Sequence, residues 1–495
     1  MFWKKRKSGS DRKQNDPNKE VENTTLTLDT LKNIVVNMDD AEIIERQINP
    51  DHKVTLLYIR TLINQERLND EIIEPLIHHS PAPIHECINV CKASKVNDLD
   101  EAQRQLMEGA ILLSDRSEDQ WLAIKLENPL SRSIESSETE TILFGPKDSF
   151  SEQIEQNVTL IRRRLPLTTL KTEKFTVGSL TRTPIVLMYI EGLTNPELIT
   201  IAKSKILTID YDLFLDSSQV AAFMEDHVHS IFPQFQQTDR PDSCVYALGA
   251  GKLTILVGNT PFALIAPITF FDLFISPDDY IHRWLIGSFL RGVRFVSFFL
   301  SLTMIPLYVA INTHHYQMFP LQVLFVLLES RSKLPFTPFW EAFLMLIIIE
   351  IIIEASLRMP TKTGQTLGVI GGIVIGQASV EAGFASKVLI VTVGISTIAS
   401  FLVPNYLMVK ANRLLLFAFM LLSSILGIFG MALGFIIVLV HLNGLTSLKQ
   451  PYFAPIAPLH MSDWNDLFIR VPLQWIKRRP VSLYPLQKWR SSRRR

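Results

Sequence analysis

Apolar residues along this chain follow two different patterns, and the change between them comes near residue 280. Up to residue 275, short apolar runs alternate with polar stretches and turns. From about residue 285 to 443, the apolar runs are longer than a strand or an ordinary core helix requires. About 20 apolar residues are enough to cross the hydrocarbon of a bilayer. The pattern therefore predicts a two-part α/β N-terminal soluble domain followed by an α-helical multi-span membrane domain.

Short helices and strands alternate in the soluble part, which we divide into residues 26–143 and 144–275 at a Ser, Glu and Thr-rich linker. No internal repeat is visible. In the first half the pattern predicts helices over Thr27–Met38 and Asp70–Leu76 and strands over Val54–Ile59, Ala110–Leu113 and Trp121–Leu126. In the second half it predicts helices over residues 149–165, from Pro196 and over residues 216–231, and strands over Ile185–Ile190, Leu253–Val257 and Phe262–Ala266.

The helix over residues 149–165 carries signals at both ends. Ser149 and Glu152 have the spacing of a capping box, which would satisfy the free amides at a helix start. Arg162, Arg163 and Arg164 at the other end suit the negative pole of the helix dipole. We expect a solvent-exposed helix end there, and a clamp for an acidic partner is the alternative.

The membrane domain, residues 276–443, is predicted to hold about four to six helices. Arginines and aromatic residues precede its first apolar run, Phe295–Ile311, and mark a cytoplasmic interface; Pro306 is expected to break this run. Leu321–Leu328 is too short to span and predicts a partial or re-entrant helix. Further helices are predicted over residues 339–358, Val388–Val403 and Leu414–Leu442, the last spanning with tilt or bending at its glycines.

The distribution of basic residues predicts on which side of the membrane the C-terminus lies. The tail, residues 444–495, carries Lys477–Arg479 and Arg490–Arg495, which argues for a cytoplasmic C-terminus and an even number of crossings. Four crossings would place Lys410 and Arg413 outside, whereas five would place the basic tail outside. The sequence leaves both alternatives open.

Two glutamates interrupt an isoleucine run in the helix predicted over residues 339–358. Glu350 and Glu354 lie one turn apart and Arg358 follows a turn later on the same face, so we expect a Glu354–Arg358 pair. Glu341 lies nearer the helix start. A carboxylate in hydrocarbon is costly unless it is paired, protonated or wetted. These residues therefore indicate either a polar path for cations or a polar joint between helices.

Glycines recur at every fourth position after that helix, at Gly364, Gly368, Gly372 and Gly376. Such a face lets another backbone approach closely in a membrane, either from a second subunit or from the same chain. Gln377 and Glu381 follow, and Glu381-Ala-Gly383 interrupts the apolar run. We expect a short or broken helix beside a polar cavity or inside a protein surround.

Composition narrows the function classes. The 495 residues include 49 Lys and Arg and 49 Asp and Glu, and this zero net charge argues against nucleic-acid binding. The three cysteines have no disulfide or metal-ligand spacing. No catalytic motif is visible, so no enzyme, cofactor or metal site is predicted. Residues 1–25 are expected to form a disordered basic segment that contacts anionic lipid or only aids solubility.

Several short stretches, in their order and spacing, resemble the A subunit of GerA-type spore germination receptors. They are Phe144–Pro146 with Phe150–Glu152, Asn157–Leu165, Phe232–Gln234 with Thr238–Asp242, Ser276–Arg283, Gly376–Gly383 and Pro451–Leu459. The resemblance covers nearly the whole chain after residue 25. The chain departs from the family pattern at Leu346 and Ile353, where charged residues often stand in the family, and at Lys449 and Gln450, where Phe-Gly often stands.

The resemblance implies a subunit of a nutrient (germinant) receptor in the spore inner membrane, with its soluble domain on the cytoplasmic side. It implies a transporter-like B subunit and a lipoprotein C subunit as partners, and a homo-oligomer that forms a nutrient-gated cation channel. The candidate residues are Glu350, Glu354, Arg358, Glu341, Glu381 and Gln377 for the polar path and the four glycines for helix packing. A secondary transporter, or a signal-relaying scaffold without its own pore, is the alternative; a transporter would usually show inverted repeats.

Overall fold

The computed structural model describes residues 26–49, 52–78, 93–115, 120–128, 140, 145–318, 320–322, 325, 329, 331, 334–358, 372 and 374–490. The chain divides into two compact units, Met1–Pro129 and Leu130–Arg495. The segment predicted to be disordered (1–25), most of the linker, most of Leu321–Leu328, and both Gly364 and Gly368 lie outside the described residues.

The first unit contains a five-stranded antiparallel sheet with helices on both faces. Its strands are β1 (Ala41–Asn49), β2 (His52–Ile59), β3 (Ala93–Val96), β4 (Ala110–Asp115) and β5 (Gln120–Lys125), in the order β1-β2-β4-β5-β3. Its helices are α1 (Leu28–Ile34), α2 (Gln65–Leu68), α3 (Glu74–His78), which follows a π-helical turn, and α4 (Leu99–Met107). Because strand side chains alternate, Leu57 and Leu112 share a core with α1 and α4, while Leu56 and Ile111 share one with α2 and α3.

The second unit begins with another five-stranded antiparallel sheet. Its strands are β6 (Leu170–Val177), β7 (Thr183–Ile190), β8 (Gln236–Thr238), β9 (Leu253–Val257) and β10 (Ala263–Ala266), and its helices are α5 (Ile154–Arg164), α6 (Pro196–Leu207), α7 (Ser217–Met224) and α8 (Pro241–Ala250). Leu187 and Ile255 pack with α6 and α7 on one face. Val186 and Leu256 face α5 and α8, in a core that continues into the C-terminal helices.

The two sheets share one topology. The second sheet has the order β6-β7-β9-β10-β8, so in both sheets the third strand of the chain forms an edge beside the fifth. In both, helical segments precede the first strand, follow the second and follow the third. The expectation of no internal repeat is therefore wrong for the fold. The sequence signal is short, as in the match between Leu56–Ile59 and Leu187–Ile190 in the second strand of each sheet, because a buried strand position needs only an apolar side chain of suitable size.

The helix at the start of the second unit begins later than predicted. Its first residue is Ile154, with Gln153 at the N-cap, so Ser149 and Glu152 do not form a capping box. Instead, the Asn157 side chain accepts from the Ser151 amide at 2.9 Å and donates to the Ser151 carbonyl at 2.6 Å. These two bonds hold the chain that enters the helix.

The three arginines at the end of that helix have three different environments. Arg162 is fully buried and donates to the carbonyl of Leu170 and the hydroxyl of Thr172. Arg164 pairs with Asp148, and Arg163 is exposed. The predicted solvent-exposed end therefore describes Arg163 only, because Arg162 lies over the edge of the sheet.

The C-terminal helices form a bundle. They are α9 (Asp278–Ile281), α10 (Trp284–Thr313), α11 (Pro338–Leu357), α12 (Lys387–Ser400) and α13 (Tyr406–Gly444), and residues 374–381 are also helical. Of the predicted four to six membrane helices, two described helices, α10 and α13, are long and apolar enough to cross a membrane by length and composition. Helix α12 has 14 residues and spans only about 21 Å, because its helical run stops before Val403.

Pro306 does not break α10, which continues through it. A proline inside a helix leaves the carbonyl four residues earlier without its usual donor. Neighbouring helices commonly compensate for this in a packed bundle. Here the hydroxyl of Ser423 on α13 donates to the carbonyl of Pro306 itself, so the proline lies at a helix–helix contact.

Helix α13 reverses direction at Gly427, where φ is 61° and ψ is −140°. A Cβ atom at Gly430 would collide with the Leu422 carbonyl oxygen, and one at Gly434 would lie 3.1 Å from Phe419 Cζ. In a continuous helix, residues 8 and 15 positions apart would be separated by about 12 and 22 Å. Helix α13 is therefore a hairpin of two arms, residues 406–426 and 428–444, which confirms the predicted bend at a glycine.

Contacts with α10 give the direction of each helix. Tyr308 near the far end of α10 contacts Glu341 and Ser386, at the starts of α11 and α12. Ser301 in the middle of α10 contacts Ser396 late in α12 and Asn412 early in α13. Helices α11 and α12 therefore run against α10, the first arm of α13 runs with it, and the second arm returns.

The tail after α13 packs on the second sheet. The short strands β11 (Thr446–Ser447) and β12 (Gln450–Pro451) pair with each other. The Ser447 hydroxyl donates to the Gln234 carbonyl at 2.6 Å, and the Tyr452 hydroxyl donates to the Pro233 carbonyl at 2.8 Å. The C-terminal tail thus lies at the end of the bundle where α10 begins.

Candidate polar path in the helical bundle

Glu350 lies between helices α11 and α13. Its Oε1 is 3.2 Å from Nη1 of Arg413, and the side chains of Glu350 and Arg413 are 45% and 17% exposed. The Arg413 guanidinium also lies 5.5 Å from the centre of the Phe401 ring. The ion pair links α11 to α13, and the Glu350 side chain remains partly exposed.

Two further polar pairs lie on the outer surface of the bundle. Glu354 Oε1 is 2.7 Å from Arg358 Nη2, with side chains 56% and 78% exposed, so the structure contains the pair expected from the spacing. Gln377 Nε2 donates to Glu381 Oε1 at 2.9 Å, and both groups are exposed. Together with Glu350, these residues form what we call the acidic strip: Glu350, Glu354 and Glu381 with their partners.

Glu341 is separate from this strip because it is fully buried. Its Oε1 accepts from the Ser386 amide at 2.6 Å, and its Oε2 lies 3.3 Å from the Tyr308 hydroxyl. The Ser386 hydroxyl in turn accepts from the Leu389 amide and caps α12. Glu341 therefore joins the starts of α11 and α12 to α10. These contacts lie within one chain and stabilise the packing of its helices.

A small polar layer lies next to Glu350 inside the bundle. Asn412 Nδ2 donates to the Ser301 hydroxyl at 2.6 Å, and the Ser396 hydroxyl donates to the Ser301 carbonyl at 2.8 Å. The Asn412 Oδ1 atom is buried without a hydrogen-bond partner among the described residues. A cavity of about 30 Å³ lies between these groups and Glu350. This space and its polar walls suit about one water molecule.

The glycine series is only partly within the described residues. At Gly372 and Gly376 a Cβ atom would meet no described atom within 4 Å. These two glycines therefore have no close packing partner among the described residues of the same chain. Their predicted role in helix packing, together with that of Gly364 and Gly368, stays a prediction.

A second group of fully buried charges lies at the base of the bundle, and the sequence did not single these residues out as a cluster. Asp279 and Arg291 are both fully buried, and Asp279 Oδ2 is 3.1 Å from Arg291 Nε. Asp279 Oδ1 is 2.7 Å from Arg294 Nη1, and Arg291 Nη1 is 3.0 Å from Asp466 Oδ1 in the tail. This network joins α9, α10 and the tail.

The sequence indicates only some of the residues of this network. Arg291 and Arg294 belong to the arginines that precede the first apolar run and mark a membrane interface. The network also depends on Asp466, which lies 175 residues after its partner Arg291, a separation that local patterns cannot reveal. Arg470 adds to the network by donating to the carbonyls of Asp279 and His282. The base of α10 is therefore fixed to the tail by buried charges.

A second junction links the end of α13 to the second sheet. Asp226 Oδ1 is 2.7 Å from Lys205 Nζ, and its Oδ2 accepts from the Thr446 hydroxyl and the Lys449 amide, each at 2.7 Å. Burial alone would raise the pKa of Asp226, but these donors hold it below its usual range. His441 Nε2 lies 3.0 Å from the Ser230 hydroxyl. These contacts tie the end of α13 to the loop that precedes β8.

The arrangement offers charged groups and hydrogen bonds. Among the described residues there is no group of three or more His, Cys, Asp or Glu side chains that could hold a metal ion. What the bundle presents outward is a set of exposed carboxylates on helices of the apolar region, Glu350, Glu354 and Glu381. Such groups attract cations or a partner with complementary polar groups.

An antiparallel α/β N-terminal part is followed by a helical C-terminal part, in which two described helices are long and apolar enough to cross a membrane, a combination consistent with a membrane-associated protein. The sequence matches the family described as Bacillus/Clostridium GerA spore germination protein over residues 29–482. The chain belongs to this family.

Two relatives agree with that assignment. The chain is 34% identical to spore germination protein GerQA of Bacillus cereus over 473 residues, covering 95% of each chain. It is 32% identical to spore germination protein KA of Bacillus subtilis, covering 92% of this chain and 86% of that one. The crystal structure of the N-terminal domain of the A subunit of the Bacillus megaterium spore germinant receptor GerK3 aligns with 49% of this chain and 94% of its own, at 24% identity and a TM-score of 0.38.

Proposed function

We propose that this chain is the A subunit of a germinant receptor in the spore inner membrane, and that its copies assemble around a cation path lined by the acidic strip. The observation that carries this proposal is the exposure of Glu350, Glu354 and Glu381 on helices of the apolar C-terminal region. Carboxylates are too costly to leave against lipid. They therefore face water or a neighbouring subunit.

The size of the internal space supports a path between copies rather than through one chain. The polar cavity beside Glu350 has a volume of only about 30 Å³. A hydrated cation needs a continuous polar route, and a space for about one water does not supply it. The exposed side of α11 and residues 374–381 is the surface where such a route would form.

The charge balance of the strip favours cations. Glu350 is paired with Arg413 and Glu354 with Arg358, whereas Glu381 has a neutral partner, Gln377. Three carboxylates and two guanidiniums leave one net negative charge on each copy. A ring of copies would repeat this charge, and carboxylate rings select cations in pores.

Partners and orientation follow from the same proposal. The nutrient would be recognised by a transporter-like B subunit, and a lipoprotein C subunit would complete the receptor. The soluble part would lie on the cytoplasmic side, because aromatic residues and arginines surround the start of α10. The Asp226 and Asp279 junctions would pass a conformational change between the soluble part and the bundle.

The proposal is tested in spores whose own copy is replaced by Glu354→Gln/Glu381→Gln. Both side chains are exposed, so the variant should accumulate normally. We expect nutrient-triggered potassium release to fall about tenfold, because the carboxylates no longer concentrate cations at the path. The matched control is Glu66→Gln/Glu197→Gln, which removes two exposed carboxylates from the soluble part. Release at the wild-type rate in the strip variant would contradict a cation path along the strip.

A signal-relaying scaffold without its own pore is the second candidate. The observation in its favour is that Glu350 and Glu354 are each neutralised inside the chain. In that case the strip is a joint with another subunit. The strip variant would then weaken co-purification with the B subunit, while any potassium that is released would keep its rate per assembled receptor.

A further inference from the structure

A large cavity lies between helix α8 and the C-terminal tail, entirely inside the second unit. Its volume is about 820 Å³, within the range of pockets that hold a small molecule. Ser243, Tyr246 and Ala250 of α8 form one wall, and Trp475 and Arg478 of the tail lie opposite. No residue of the acidic strip lines it.

The carboxylates around this cavity are already engaged by the protein. Four of them line it, and each has a donor within 3.0 Å. The pairs are Asp242 with Arg240 at 2.7 Å, Asp272 with Lys252 at 2.8 Å, Asp463 with the amides of Val481 and Ser482 at 3.0 Å, and Asp466 with Arg291 at 3.0 Å. Three of these carboxylates are therefore paired with cations of the protein, and Asp463 is held by backbone amides.

The cations of the tail are not balanced in this way. Lys477, Arg478, Arg479 and Arg490 also line the cavity. Every ion pair of the lining carboxylates goes to a cation outside this group of four. Among residues 145–318 and 374–490, none of the four cations has a carboxylate at ion-pair distance. The cavity therefore carries positive charge without a counter-ion from the described protein.

The three arginines are held in place by contacts that leave this charge uncompensated. The Arg478 guanidinium stacks on the Trp489 ring at 4.6 Å, and that of Arg490 lies 5.5 Å from the Tyr246 ring centre. Arg479 donates to the carbonyls of Gly249 and Trp489. Burial, with Arg490 nearby, lowers the pKa of Arg479. An anion in the cavity would relieve this repulsion.

The position of the cavity indicates where such an anion comes from. Tyr280 and Ile281 of α9 line it, and α10 begins three residues later at Trp284. Leu285 and Phe289, in the first turns of this apolar helix, are 65% and 69% exposed. Aromatic and cationic residues beside the start of an apolar helix mark the level of lipid headgroups.

We propose that this cavity binds the phosphate headgroup of an anionic phospholipid, with Lys477 and Arg478 as the accessible phosphate ligands and Trp475 against the upper part of the lipid. The proposal does not depend on the acidic strip or on cation flow. It assigns to the tail a lipid-binding function that anchors it at the membrane surface.

The test uses the full chain purified in neutral detergent. Its melting temperature is measured against increasing short-chain phosphatidylglycerol, short-chain phosphatidylcholine and inorganic phosphate. We expect stabilisation by phosphatidylglycerol only. In Lys477→Gln/Arg478→Gln the apparent Kd should rise roughly 25-fold, about fivefold for each cation removed.

The matched control is Lys449→Gln/Lys488→Gln, which removes two exposed cations of the same tail that do not line the cavity. It should bind like the wild type. Equal weakening in both variants would indicate attraction by surface charge alone and overturn the site. Equal stabilisation by inorganic phosphate would overturn the lipid as its occupant, and no stabilisation by phosphatidylglycerol would overturn the proposal. Melting without lipid shows that each variant is folded, and Lys477→Arg/Arg478→Lys should restore binding.

Discussion

At the scale of single residues, the buried Asp279–Arg291 pair is the contact whose loss should destabilise the chain strongly. Both side chains are fully buried, and Arg294 and Asp466 complete the network. A buried ion pair gains little over apolar packing, but removing one partner leaves a charge without compensation. The network therefore acts mainly by fixing where α10, α9 and the tail meet, and small steric changes there should be costly.

Gly287 tests this packing. Its missing side chain allows α10 to approach the Asp279 backbone, since a Cβ atom would lie 2.7 Å from the Asp279 carbonyl oxygen. We expect Gly287→Ala to lower the free energy of unfolding by about 1–3 kcal/mol, as other overpacked sites do. The measurement is thermal unfolding of the purified chain in detergent.

Gly292 provides the control, because it lies in the same helix and a Cβ atom there meets nothing within 4 Å. Gly292→Ala should be neutral or stabilising by up to about 1 kcal/mol, since alanine favours helix. Opposite signs for the two alanines are expected. Equal effects would mean that helix propensity alone decides both positions and that α10 does not press on Asp279.

At the scale of elements, the hairpin of α13 is the feature that local patterns described least completely. Its long apolar run predicted a helix, and its glycines predicted a bend. The full reversal at Gly427 was not predictable, because helix hairpins usually show a polar turn and this one is flanked by Leu426 and Ile428. The ion pair of Glu350 with Arg413 was missed for a related reason, since it joins two helices brought together only by the fold.

Gly430 and Gly444 test the hairpin. A Cβ atom at Gly430 would collide with Leu422 in the opposite arm, whereas one at Gly444 would meet nothing within 4 Å. We expect Gly430→Ala to lower the free energy of unfolding by about 1–3 kcal/mol and Gly444→Ala to change it little. The same unfolding measurement applies. If Gly430→Ala were as stable as Gly444→Ala, the two arms would not be in contact.

At the scale of the whole molecule, the chain contains two five-stranded sheets of the same topology and a helical bundle that carries the exposed residues of the acidic strip. The division into an α/β part and a helical part could be predicted from hydropathy. Glu350 and Glu354 could be identified as candidate residues because they are charged residues in an apolar run. What the strip contacts depends on other copies or partners, and no pattern within one chain specifies that surface. The duplicated topology is visible from the strand order, and Leu56 and Leu187 both pack against the helices that follow the second strand of their sheet.

The cation path is tested most directly by the reversal potential of the full chain reconstituted in a planar bilayer under a tenfold potassium chloride gradient. We expect the wild type and the Glu66→Gln/Glu197→Gln control to reverse near the potassium equilibrium potential. In Glu354→Gln/Glu381→Gln the reversal potential should move toward zero, since the uncompensated carboxylate that selects cations is lost. An unchanged reversal potential in that variant would contradict the assignment of the acidic strip as the cation path.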